Sequence, residues 1–178
     1  MLKKAVSFAA LLLLFSASAR AQARVAAVSW EASAPKAKMW TPFAPITELK
    51  LAPDRKLKDK LRAVFTVRNL SGAAVEGLVL RYSLRLRLVK EGEAPEKGVW
   101  AVPFRVEEVR LAKVPAGEAR QVRAMRFELN EQIKKLSGTG LWFDAIKLEV
   151  MVEPRRGEDL SAIISESILP ATTAIGDK

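Results

Sequence analysis

The sequence predicts an all-β protein, an antiparallel β-sandwich of about seven strands with one short helix. Three observations carry this. Residues 78–89 alternate strictly, with Leu78, Leu80, Tyr82, Leu84, Leu86 and Leu88 in one set and Val79, Arg81, Ser83, Arg85, Arg87 and Val89 in the other. A helix would mix the two sets on every face, whereas a strand sends them to opposite sides. Clusters of Gly, Pro, Asn and Ser interrupt the apolar runs about every ten residues, the spacing of sandwich strands. Only residues 130–136 carry helix-end signals, and no repeat of fixed period is visible, so a single domain follows.

Residues 1–23 read as a cleavable secretory leader. Met1-Leu2-Lys3-Lys4 is a basic start, residues 5–15 form an apolar run too short to span a bilayer, and Ala21-Gln22-Ala23 is an Ala-x-Ala end. The mature chain then starts near Arg24, with Ala17-Ser18-Ala19 as a second possible cleavage point. Residues 24–60 are expected to form an N-terminal edge strand at 25–32, followed by a proline-rich arm. Pro35, Pro42, Pro45 and Pro53 deny the arm a continuous helix or a central strand, leaving room for one short strand within 46–51.

The sandwich is expected over residues 61–170. Leu61, Ala63, Phe65 and Val67 alternate with Arg62, Val64, Thr66 and Arg68 as a half-buried strand, which Asn69-Leu70-Ser71-Gly72 ends. After the long strand at 78–89, residues 91–98 read as a hairpin loop, and Pro103 marks the next strand, 99–111, as an edge or bulged one. Val114-Pro115-Ala116-Gly117-Glu118 is a turn. In 122–129 the apolar residues change parity between Val122 and Met125, Phe127 and Leu129, which predicts a β-bulge near Arg123. The helix at 130–136 takes Asn130 as its N-cap and Lys134-Lys135 in its last turn, and Ser137-Gly138-Thr139-Gly140 stops it. Trp142, Ile146, Leu148, Val150 and Val152 then face the core of a penultimate strand, with Trp142 as the core tryptophan. A last strand covers 160–169, and a frayed tail, 171–178, follows Pro170.

The run Phe65-Thr66-Val67-Arg68-Asn69-Leu70-Ser71-Gly72 followed by Val75-Glu76-Gly77-Leu78-Val79-Leu80-Arg81-Tyr82 resembles the strand-Asn-turn-strand opening of bacterial immunoglobulin-like domains. Val114-Pro115-Ala116-Gly117-Glu118 leading into Val122 is similar to their proline-glycine turn, and Asp144-Ala145-Ile146-Lys147-Leu148-Glu149-Val150 to their penultimate strand. The nearest groups are the cell-adhesion-related immunoglobulin-like or fibronectin-III-like domains and the late-embryogenesis-abundant type 2 domains. The resemblance covers residues 61–169 and implies an immunoglobulin-like sandwich that holds, spaces or binds other molecules. It supplies no catalytic residue.

Composition narrows the chemistry. The chain has no histidine and no cysteine, which removes Ser-His-Asp and Cys-His catalysis, histidine metal sites, disulfides and lipid attachment at a cleavage-site cysteine. Ser33-Ala34-Pro35-Lys36 matches the S-x-x-K spacing of a serine nucleophile and its lysine, but Pro35 denies it the helix that spacing needs. Glu107 and Glu108 are adjacent on a strand and face opposite sides, so they cannot flank one bond together. Glu158-Asp159 in a turn lacks the ordered ligand series of a calcium loop. No enzymatic activity, metal or cofactor is expected.

The net charge is +10, or +7 (27 basic residues against 20 acidic) once Lys3, Lys4 and Arg20 leave with the leader. Its most ordered expression is the outward stripe Arg81, Arg85 and Arg87, extended by Lys90, whose alternate residues stand about 7 Å apart and can meet successive charges on an anionic polymer or lipid surface. Cross-strand pairing with glutamates such as Glu107 or Glu149 is the plainer reading. Arg105 and Arg110 have opposite parity and cannot both extend the stripe. Among the aromatics, Trp40 beside Met39 and Phe43 is expected to be exposed on the arm, where Trp40 and Phe43 are candidates for contact with a protein partner. The expectation is therefore an exported, periplasmic or extracellular binding or scaffolding module. Its partner would be an envelope protein or, alternatively, an anionic glycan or lipid headgroup, and not nucleic acid.

Overall fold

The computed structural model describes residues 23–52, 55–124, 127–153 and 163–173. Residues 1–22 of the leader, Pro53, Met125, Glu158-Asp159, the first three residues of the last strand expected at 160–169, and the last five residues lie outside that set. The chain forms β1 (Ala23–Ser33), β2 (Pro35–Lys36), β3 (Met39–Trp40), β4 (Ala44–Ile46), β5 (Leu49–Leu51), β6 (Lys60–Asn69), β7 (Val75–Lys90), β8 (Val99–Trp100), β9 (Arg105–Val114), β10 (Ala119–Ala124), α1 (Leu129–Leu136), β11 (Leu141–Val152) and β12 (Ile164–Thr173).

Two sheets make an all-β sandwich. The first runs β10-β6-β1-β4; the second runs β5-β12-β11-β7-β8, with β9 also on β7. The described pairings are antiparallel except that of β12 with β5. Seven of the described strands have six or more residues: the first, second and fifth of these make one sheet, and the third, fourth, sixth and seventh make the other.

The core follows the alternation. Leu61, Ala63, Phe65 and Val67 of β6 and Leu78, Leu80, Tyr82, Leu84 and Leu86 of β7 are all buried, and Phe65 meets Tyr82 edge-on across the interior at 6.0 Å. Each Leu, Val or Phe among them contributes roughly 1.5–3 kcal/mol by leaving water. Pro103 breaks the edge strand into β8 and β9, because a proline cannot donate to the ladder.

Two polar side chains tie the sheets together. Trp30, 5% exposed on β1, donates its indole N–H to Ser167 Oγ on β12 at 3.0 Å and stands edge-on to Phe127. Asn69, fully buried at the end of β6, donates from Nδ2 to the carbonyls of Ala73, Val114 and Pro115 at 2.8–3.0 Å, and its Oδ1 accepts from the Ser71 amide at 2.9 Å. Burying an amide is tolerable because every polar atom of it is satisfied.

Five sequence expectations need correction. β1 is not an edge strand: it lies between β6 and β4, and Trp30 on it is a core residue. The arm carries four short strands among its described residues instead of the one expected within 46–51: β2 pairs with β3, β4 borders the first sheet and β5 the second, and Pro35 and Pro45 lie in such short edge pairings. β10 shows no bulge at Arg123: its register with β6 is unbroken from Ala119 to Ala124. Leu129 is buried as the first residue of α1, after Glu128 turns the chain with φ 50°. β11 instead carries a register shift between Phe143 and Ala145, which moves Phe143 into the core and Trp142 out of it. β12 runs through Pro170 to Thr173, because beyond that proline it pairs with β5.

Candidate binding cleft

The arginine stripe lies on the outer face of the second sheet. Arg81 stands 3.4 Å from Glu108 and 3.8 Å from Glu153, and Arg87 makes a two-pronged contact with Asp144 at 2.7 and 2.6 Å. That contact raises the Arg87 guanidinium pKa. Arg85 lies opposite Lys147 in the register, and its buried Nε has no hydrogen-bond partner. Lys147 is held by Glu166 at 3.0 Å and lies 5.2 Å from the Trp100 ring centroid. Lys90 is exposed at the end of β7. The face is thus largely a network of paired charges, with Asp144, Glu108 and Glu153 on the arginines and Glu149 and Glu166 on Lys147.

The remaining candidates occupy different places. Glu107 and Glu108 do face opposite ways. Glu107 accepts from the Tyr82 hydroxyl and pairs with Arg105, while Glu108 pairs with Arg110 and Arg81. The Tyr82 hydrogen bond, with Arg105 behind it, holds the Glu107 carboxyl below its usual range; burial, then Glu107 itself, pushes the Tyr82 hydroxyl up. Ser33 is buried and donates to the Thr41 carbonyl at 2.5 Å, closing the β2-β3 hairpin, while Lys36 is exposed. Trp40 is partly exposed with the Lys60 ammonium 4.1 Å from its ring, and the Arg62 guanidinium covers Phe43 at 3.9 Å. Both rings on the arm therefore carry a cation of the protein's own. No group of three or more Asp and Glu is arranged to hold a metal among the described residues.

A different feature is more sharply built. Where α1 connects the sheets, a cleft of about 800 Å3 opens between the helix, the 55–58 segment of the arm and the start of β11. Leu57, Ile133, Leu136 and Trp142 supply its apolar wall, and Arg55, Lys56, Lys58 and Lys134 its cations. Glu91 is the one acid in the lining among the described residues.

The local sequence explains each part. In α1 the i, i+3 spacing of Ile133 and Leu136 puts both on one face. Gly138, at φ 78°, turns the chain out of the helix, and the Gly140 carbonyl accepts from the Glu91 amide at 2.9 Å, fixing the 91 loop beside it. The register shift in β11 places Trp142 on this wall instead of in the core. Arg55 lies over the Trp142 ring at 4.7 Å and pairs with Glu91.

Asn130 sets the position of the arm. It does not cap α1, whose preceding residue is Glu128; instead its Oδ1 accepts from the Leu57 amide at 3.1 Å and its Nδ2 donates to the Leu57 carbonyl at 3.0 Å. One side-chain amide thus reads both backbone groups of one residue, as a neighbouring strand would. Leu57 becomes a partition, with a second depression of about 510 Å3 beyond it, walled by Phe43, Leu61, Phe127 and Leu129.

Sequence reasoning missed this site because its residues come from the arm, the helix and a strand far apart in the chain. One signal was present: Asp144 falls in the apolar set of β11 while Phe143 falls in the polar set, which marks a bulge and releases Trp142 from the core. Neither a family model nor a curated protein matches this sequence.

Proposed function

We propose that this chain is an exported, non-enzymatic binding module of a bacterial envelope, an immunoglobulin-like sandwich whose ligand seat is the cleft beside α1. The observation that carries the reading is the composition of that cleft: an apolar wall drawn from three elements, a cationic rim, and no pair of acids converging on one point. An apolar wall with a cationic rim suits binding, and the acid in its lining, Glu91, is already paired with Arg55. The strand order supports the immunoglobulin-like part, with one difference. The fourth long strand pairs with the third, whereas constant-type domains place it on the first sheet. The basic, apolar and Ala-x-Ala parts of residues 1–23 support export.

A second reading keeps the arginine stripe as a binder of anionic polymer or lipid headgroups. The observation in its favour is Arg85, whose Nε is buried and unpartnered. Against it stand the acids already holding Arg81 and Arg87. One experiment separates the two readings: the exported protein is immobilised and exposed to envelope extract, in parallel with Arg81→Ser/Arg85→Ser/Arg87→Ser and Lys58→Glu/Lys134→Glu variants. Loss of ligand only in the second variant supports the cleft; loss only in the first, together with steep salt dependence, transfers the function to the stripe. A mass for the secreted chain starting at Arg24 checks the leader.

A further inference from the structure

The chemistry of the cleft is specific enough to name a ligand class. We infer that it takes a free single-chain amphiphile with an anionic head group, the acyl chain against Leu57, Ile133, Leu136 and Trp142 and the head at the cationic rim. This rests on the cleft being the binding seat.

Charge complementarity argues for the head. Among the described residues Glu91 is the one acid of the lining, and it is engaged by Arg55. Lys58 and Lys134 have no carboxylate in ion-pair range among the described residues. Shape and surface argue for the chain: about 800 Å3 of concave space with four apolar side chains on its wall falls in the range that encloses one small molecule, whereas a flat patch would suit a bilayer. Arg55 argues against a sugar. Its guanidinium already covers a face of Trp142, the ring on which a pyranose would stack, and the same cation stands beside the space where an anionic head would lie.

The test is calorimetric titration of the whole protein below the micelle threshold with dodecanoate, dodecyl phosphate, dodecyl maltoside and dodecyltrimethylammonium, alongside phosphatidylglycerol vesicles. Both anionic probes are expected to bind one to one and at least about tenfold more tightly than the maltoside, and the cationic probe not to bind. In Lys58→Glu/Lys134→Glu, whose folding is checked by urea titration, the anionic probes should weaken about tenfold and the maltoside stay unchanged, the scale of two exposed charges reversed. The binding-linked change in tryptophan fluorescence should disappear in Trp142→Phe. Equal affinity for maltoside and dodecanoate, in competition with one another, would overturn the anionic class and leave the cleft as the seat. Tight anionic binding that neither variant alters would overturn the cleft reading itself. Binding to vesicles alone, or to no probe, would overturn the inference.

Discussion

Changing Asn130 to Ala removes the contact that shapes the cleft, and the structure lets its effect be divided. Two hydrogen bonds to Leu57 disappear, each worth about 1 kcal/mol net because the site is partly open to water. Alanine recovers up to about 0.5 kcal/mol by its better fit inside a helix. The global cost is therefore about 1.5 kcal/mol, readable by urea titration. The local effect is larger in kinetic terms: losing about 2 kcal/mol of local protection speeds hydrogen exchange at the Leu57 amide about 30-fold, since every 1.4 kcal/mol is a factor of ten. Amides in the middle of β7 should slow or quicken only in step with global stability. If Leu57 exchanges at its original rate while global stability falls, Asn130 supports the helix and not the arm, and the account of how the cleft is held is wrong.

Three further outcomes follow from the same geometry. Asn69→Ala leaves the buried Val114 carbonyl without its donor and should cost about 3 kcal/mol, or about 6–12 °C in Tm, while Ser71→Ala costs far less; the comparison is a thermal melt of both. Trp30→Phe and Ser167→Ala should each cost about 1–2 kcal/mol, and in a double-mutant cycle by urea titration the pair should cost less than the sum, because one sheet-to-sheet bond is lost in either. Glu107 binds protons less readily when folded, chiefly through Tyr82, so its contribution is present above the ordinary carboxylate pKa of 4.5 and is lost as pH falls through the lower folded value. Urea titrations at pH 6 and pH 3 should therefore show a smaller acid loss in Glu107→Gln than in the parent.

How far the sequence exposes this molecule depends on where each residue's partners lie. The inward set of β7 is legible because its two sheet neighbours and the facing sheet ask the same thing of it: apolar at every second position. The edge character of the arm's strands and the break at Pro103 are legible because a missing N–H is a local property. Trp142 is misassigned by a parity rule that fails at one inserted residue, whose one trace in the sequence is Asp144 in the apolar set. Pro170 looks like an end until β5 arrives from more than a hundred residues earlier to extend β12. Asn130 has the composition of a cap, and its true partner, the backbone of Leu57, has no sequence signature at all. The same holds for the charges: the stripe Arg81, Arg85 and Arg87 is visible as a pattern, but the acids that hold two of its members come from β9 and β11.

The most direct test of the central claim, that the cleft beside α1 is the seat of binding, is a heteronuclear NMR titration of the protein with dodecanoate. Saturable shifts are expected at the amides of Leu57, Ile133 and Leu136 and at the indole N–H of Trp142, with the outer face of β7 silent. Shifts concentrated at Arg81, Arg85 and Arg87, with the cleft unmoved, would contradict it.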